Sequence, residues 1–218
     1  MVDLRQVWTS VVQAADLDQH MAANGQAPVN ACLLLRMLAH LTLPPGARIL
    51  VPGAGTGQLL DYVDPEELIP FSWLFTDINP EFLTVLTRRL QRCPGVTHVA
   101  MVDDAENPQV PGPIEAVLAV LVLEHVNWHR ALAAWTERGV SRIGCIIQRN
   151  EADSRMLAPG RPLTPSMERF RELARPELVP EEALTTELAG RGYELHWRAE
   201  QAVPDSKAMI ALLHRRSG

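Results

Sequence analysis

The residues best suited to chemistry in this chain fall into two runs. The first is Gly53-Ala54-Gly55-Thr56-Gly57, which follows the apolar run Arg48-Ile49-Leu50-Val51 and Pro52. Glycines let the chain turn sharply and let a ligand touch bare backbone. Twenty residues past Gly57 stands Asp77, at the end of a second apolar run, with Ile78 beside it. A carboxylate at that spacing can accept hydrogen bonds from both ribose hydroxyls of a nucleoside. The plainer reading is a tight turn followed by a helix-capping Asp. The second run is Leu123-Glu124-His125, which ends the most apolar stretch of the chain. Histidine titrates near neutrality, so His125 is the first candidate for a general base. Its structural alternative is to cap the next helix. Glu124 is a candidate for binding a substrate amine or orienting a neighbour. Gln148 and Asn150 end a later apolar run and can hydrogen-bond a substrate or satisfy loop backbone. His20 and Gln26 lie in the polar stretch from Asp16 to Asn30 and are candidate ligand contacts.

These groups meet only if strands bring them to one sheet edge. Short apolar runs at 48–51, 71–76, 98–102, 114–123 and 142–148 alternate with helix-like segments. Pro80 to Gln91 has Phe82, Leu83, Leu86 and Leu90 on one stripe, and Asn127 starts a helix that Gly139 stops. The run 114–123 is nearly all apolar, as expected of a parallel strand covered on both faces. Two more strands are expected at 193–199 and 208–214, around a turn at Pro204-Asp205. The alternation predicts an α/β fold with a doubly wound, mostly parallel sheet, which binds ligands beyond the carboxyl ends of its strands. Residues 1–45 read as two or three helices, one of them 29–41 with the packing stripe Leu33, Leu34, Met37, Leu38 and Leu41. They form an expected N-terminal helical lid on a domain spanning 46–218. A Pro-rich insertion at 151–180 is a second expected lid.

Composition narrows the partners. Lys plus Arg is 20 against 26 for Asp plus Glu, a net charge of −6. That argues against nucleic acid and against anionic membranes. The pairs Arg88-Arg89 and Arg215-Arg216 read as solvated faces. No apolar run approaches the ~20 residues that span a bilayer, and the N-terminus shows no signal-peptide pattern. Cys32, Cys93 and Cys145 form no CxxC pair. They read as reduced, buried thiols of a cytoplasmic protein.

The loop is G-x-G-x-G rather than the dinucleotide G-x-G-x-x-G. With Asp77, it resembles the class I S-adenosylmethionine-dependent methyltransferases, clearly over about 46–150 and loosely over the last two strands. The resemblance implies a Rossmann-like seven-stranded sheet with a reversed last strand. It implies S-adenosylmethionine held by Gly53, Ala54, Gly55, Gly57, Asp77 and Ile78. Met101 to Asn107 matches the family's third-strand exit, implying adenine contacts from Asp104 and Ala105. Val122 to Val126 matches the segment facing the methionine end, implying Leu123 there, with His20 and Gln26 as further contacts. One departure stands out: the family places Asp or Glu two residues before the first glycine, where this chain has Val51. A metal is not expected, because Leu121 stands where some relatives carry the first Glu of a Glu-x-x-Glu-His arrangement.

The leading functional expectation is methyl transfer to a small molecule, with His125, Glu124 and Asn150 as the catalytic candidates. The alternative is a cyclase that closes a ring within S-adenosylmethionine and releases methylthioadenosine. A non-catalytic cofactor sensor is the third. The oligomeric state is not set by the sequence.

Overall fold

The structure is a computed structural model that describes residues 3–150, 163–174, 176–203 and 207–217. Three helices open the chain: α1 (Leu4–Ser10), α2 (Ala14–Ala23) and α3 (Gln26–His40). They are followed by β1 (Arg48–Pro52), β2 (Ser72–Asp77), α4 (Pro80–Leu90), β3 (Thr97–Val102), β4 (Ala116–Val120), α5 (Trp128–Glu137) and β5 (Arg142–Asn150). The chain closes with α6 (Pro165–Leu173), α7 (Glu181–Gly190), β6 (Tyr193–Val203) and β7 (Lys207–Arg216). The seven strands form one sheet in the order β3-β2-β1-β4-β5-β7-β6. β1 to β5 pair parallel, and β7 runs antiparallel to both β5 and β6. This is the expected doubly wound sheet with its reversed last strand. The expected turn at Pro204-Asp205 and the stretch 151–162 lie outside the described residues.

Side chains alternate between two cores, as a pleated strand requires. On β4, Ala116 and Leu118 face one core, while Val117 and Ala119 face the other. On β7, Met209, Ala211 and Leu213 alternate in the same way with Ile210 and Leu212. α3 and α4 cover the first face, and α5 and α7 cover the second. The α4 stripe Phe82, Leu83, Leu86 and Leu90 is buried as its spacing predicts, and Asn79 caps the helix by accepting from Glu81 N.

Several expectations are corrected. The helix-like segment expected between the first two apolar runs is only a pair of 3-10 turns, Gln58–Tyr62 and Pro65–Glu67. Pro65 lacks a backbone N–H to continue the first turn, and Asp64 starts a new one by accepting from Glu66 N. The run 114–123 is strand only as far as Val120, because Leu121 takes a positive φ of 50° and turns the chain into a 3-10 turn at Leu123–His125. Asp16 to Asn30 is not a long polar connection: nearly all of it is α2 and the start of α3. Cys32 is exposed, whereas Cys93 and Cys145 are buried.

The helices of residues 1–45 divide between two roles. The α3 stripe Leu33, Leu34, Met37, Leu38 and Leu41 joins the main core beneath the sheet. α1 and α2 instead join α6 and Phe82 in a separate apolar cluster built from Val7, Val12, Leu17, Met167, Phe170 and Ala174. α3 seats closely on β5, where a Cβ on Gly144 would lie 2.2 Å from Met37 Sδ and 2.6 Å from Leu118 Cδ2. Gly144→Val is therefore expected to destabilise the fold by about 1–3 kcal/mol through overpacking. Urea unfolding checks this, and an unchanged midpoint would show that α3 is not seated there.

Candidate functional site

β1 delivers the chain to a turn in which Gly53, Gly55 and Gly57 all have positive φ, at 59°, 58° and 74°. The three glycines are needed for different reasons. A Cβ on Gly53 would meet Val122 Cγ2 at 2.3 Å, so the turn lies directly against the segment after β4. A Cβ on Gly57 would meet Leu86 Cδ1 at 2.4 Å, so this glycine serves packing against α4. Around Gly55 the nearest atoms to such a Cβ are 3.9 and 4.0 Å away, leaving its backbone open to a ligand.

Asp77 ends β2 beside this turn. Its Oδ2 accepts from Gly55 N at 2.8 Å and its Oδ1 accepts from Asn79 N at 2.8 Å. Burial pushes its carboxyl above the usual range, and the backbone donors at Asn79, Gly55 and Ile78 oppose that shift by favouring the anion. Each oxygen retains a second lone pair for a ligand hydroxyl. Asn79 then carries the arrangement outward, because its Nδ2 donates to Trp8 O at 2.8 Å.

A cavity of about 180 Å³ opens at this edge. Gly53, Ala54, Gly55, Asp77, Ile78, Asp104, Ala105, His125, His20 and Gln26 all line it. Four expected site residues do not. Gly57 lies beneath the turn. Leu123 is buried in the second core, because the 3-10 turn rotates it away from the edge. Glu124 is buried behind the wall, and Asn150 lies beyond it, accepting from Gln148 Nε2 at 2.8 Å. Gln148, not Asn150, reaches the cavity.

The expected base has an unfavourable setting. The His125 ring sits edge-on to Trp8 at 4.7 Å and to Phe170 at 5.8 Å. Its Nδ1 is buried with no partner among the described residues. Burial lowers its pKa to about 4, so the ring is neutral and a weak proton acceptor at pH 7. His20 is also lowered to about 4, by burial and then by Lys207. Among the described residues no group of three or more His, Cys, Asp or Glu is placed to hold a metal, and no helix is long and apolar enough to cross a membrane.

A buried polar chain runs along the other side of the cavity. Asn24 Nδ2 donates to Gln26 Oε1 at 3.2 Å, and Gln26 Nε2 donates to Gln148 Oε1 at 3.1 Å. His20 Nε2 lies 3.3 Å from Asn24 Nδ2. Behind it, Gln148 N donates to Glu124 Oε1 at 2.9 Å. This chain ties α2, α3 and β5 together at the cavity wall.

No family model matches this sequence, and no curated protein matches it. Solved structures do match. The magnesium protoporphyrin IX methyltransferase of Synechocystis PCC 6803, solved with bound SAM, aligns over 100% of this chain and 99% of its own, at 12% identity and a TM-score of 0.73. A SAM-dependent methyltransferase from Aquifex aeolicus aligns over 82% of this chain and 87% of its own, at 12% identity and 0.55. One from Clostridium acetobutylicum aligns over 86% and 91%, at 12% and 0.56. This chain has the methyltransferase fold.

Within that fold, several contacts escaped sequence reasoning. Arg89 is not a solvated residue. Its guanidinium donates to Thr56 O at 2.7 Å and pairs with Asp18 at 2.7 Å and Asp61 at 2.9 Å, locking α2 to the glycine turn. Arg5 of α1 pairs with Asp104 at 2.9 Å and Glu106 at 3.0 Å. Leu121 lines the cavity in a left-handed conformation that costs a non-glycine residue about 1–3 kcal/mol. A helix-period scan sees Arg89 as a polar position and β4 as a uniform apolar run, so neither feature had a signal.

The Glu124 side chain is 3% exposed, and its Oε2 has no partner among the described residues. Burial raises its pKa from 4.5 to about 7. Between those values the unfolded chain has released the proton and the folded chain holds it, so stability falls as pH rises from about 4.5 to 7. The loss sums to about 3 kcal/mol. Glu124→Gln removes this contribution. Urea unfolding at pH 5 and pH 7.5 should differ less in the variant by about 2 kcal/mol, the part of that loss falling in this interval, and parallel pH profiles for the two proteins would refute the assignment.

Proposed function

We propose that this chain is an S-adenosylmethionine-dependent methyltransferase acting on a small molecule enclosed beneath α1, α2 and α6. The observation that carries this reading is the Asp77 carboxylate, held by Gly55 N and Asn79 N at the carboxyl end of β2, facing the cavity. Backbone exposed at Gly55 and two carboxylate oxygens with lone pairs to spare suit the ribose of an adenosyl group. Asp104 and Ala105, just past the end of the next strand outward, are assigned to the adenine edge. The structural neighbours are methyltransferases, and the Synechocystis enzyme was solved with SAM and with SAH.

The sulfonium of the bound cofactor supplies the electrophilic methyl group. The chain's own residues then align, enclose and exclude water. Trp8, Phe82, Met167 and Phe170 form apolar cavity walls and suit an apolar or aromatic acceptor. An aromatic face at Trp8 also favours a nearby cation. With His125 lowered to about 4, its role in this reading is to shape the wall and accept a hydrogen bond, not to carry a full proton. Helices α1, α2 and α6 act as the lids. Thr164 and Ser166 bond to Asp16, and Gln13 N donates to Ser166 Oγ, so α2 and α6 are tied to each other.

Titration calorimetry with S-adenosylmethionine and S-adenosylhomocysteine tests the binding step. Asp77→Ala should weaken both by at least about tenfold, as expected for loss of hydrogen bonds to a charged group. No uptake of either by the unmodified protein would defeat the reading. Product analysis tests the reaction: S-adenosylhomocysteine formed only with an acceptor supports transfer. Methylthioadenosine formed from the cofactor alone would replace transfer with ring closure.

A further inference from the structure

Asn30 stands in the second turn of α3 and lines the cavity, yet it is only 2% exposed. Its Oδ1 is buried and has no hydrogen-bond partner among the described residues. The neighbouring amides are not in this state. Gln26 both accepts and donates, and Gln148 continues the chain toward β5. An apolar residue at position 30 would extend the α3 stripe of Ala27, Ala31 and Leu34 with no desolvation cost. A buried amide oxygen without a protein donor is costly, and a ligand that donates to it offsets that cost.

The strand order indicates which donor this is. Asp104 follows β3, Asp77 ends β2 and the glycine turn follows β1, so an adenosyl group set across these strands points its amino-acid end toward β4 and β5. α3 lies over that part of the edge. Gln26 reaches Gln148 on β5, and one turn after Asn30 Leu34 packs in the same core as Val51. Val51 lines the cavity there and carries no polar group, so β1 offers no side-chain acceptor to compete. Among the donors of such a ligand, the ribose hydroxyls face Asp77 and the adenine amine faces Asp104. The α-ammonium is left.

We propose that Asn30 Oδ1 accepts a hydrogen bond from the α-ammonium group of the cofactor's amino-acid end. This rests on the adenosyl-binding reading above. Asn30 is thereby a cofactor-binding residue that selects ligands carrying the amino acid over bare thioadenosines.

Calorimetry with S-adenosylhomocysteine and with methylthioadenosine, which shares the adenosyl group but lacks the amino acid, tests it. Asn30→Ala should weaken S-adenosylhomocysteine by roughly 10- to 100-fold, the range of a hydrogen bond to a charged group. Methylthioadenosine affinity should stay within about twofold, which also reports that the variant is folded. Asn30→Asp should keep or strengthen S-adenosylhomocysteine binding, because a carboxylate accepts from an ammonium at least as well as an amide does. Three results would overturn the proposal: equal weakening of both ligands in Asn30→Ala, no weakening of either, or Asn30→Asp losing S-adenosylhomocysteine as Asn30→Ala does. The last would show that position 30 donates to the carboxylate instead. Failure of the unmodified protein to bind either compound would overturn the adenosyl reading itself and with it this assignment.

Discussion

The site hangs on one carboxylate shared between two backbone amides. Asp77 holds Gly55 N with one oxygen and Asn79 N with the other, so the exit of β2 is tied to the turn after β1. Parallel strands have no turn between them to fix their ends. Here a buried side chain does that work, at the edge where the two strands open. Asn79 extends the link to α1 through Trp8 O and also caps α4. α4, α1 and the glycine turn are thus linked through Asp77 and Asn79.

The helices beside the sheet edge are held by a second set of polar contacts. Arg89 gathers Asp18 of α2, Asp61 and the carbonyl of Thr56 around one guanidinium, whose planar fork suits several acceptors at once. Asp18 also accepts from Thr56 Oγ1, which is fully buried. α1 is fastened more loosely. Arg5 is half exposed, and its pairs with Asp104 and Glu106 are weakened by water and salt. The apolar contacts of Trp8 with Phe82, Phe170 and His125 contribute more to its seating. α1 is thus held by two partly exposed ion pairs, one hydrogen bond to Trp8 O and a small apolar cluster.

In the cavity wall and just behind it, burial governs two histidines and one glutamate. His20 and His125 are both kept neutral, and Glu124 is kept protonated through much of the physiological approach to pH 7. The polar chain from His20 through Asn24 and Gln26 to Gln148 is therefore made of neutral amides and a neutral ring. Such a chain can orient a ligand by hydrogen bonds alone, with Lys207 as the charged group beside it.

The order of strands and helices, the glycine turn with its acid, and the α3 and α4 stripes were legible in the sequence, because they depend on local period and spacing. Gly53-Ala54-Gly55-Thr56-Gly57 and Asp77 carried the signal for the turn and its acid. What the sequence could not carry was direction within the edge. Whether Leu123 or Leu121 faces the cavity is decided by one left-handed residue after β4, and leucine gives no local hint of that conformation. Whether Gln148 or Asn150 reaches it depends on how α3 lies across β5. The pKa values of His125 and Glu124 depend on the number of apolar groups packed around them. The sequence determined which residues could reach one edge of the sheet; tertiary packing decided which of them face the cavity and in which charge state, because orientation and desolvation are set by neighbours distant along the chain.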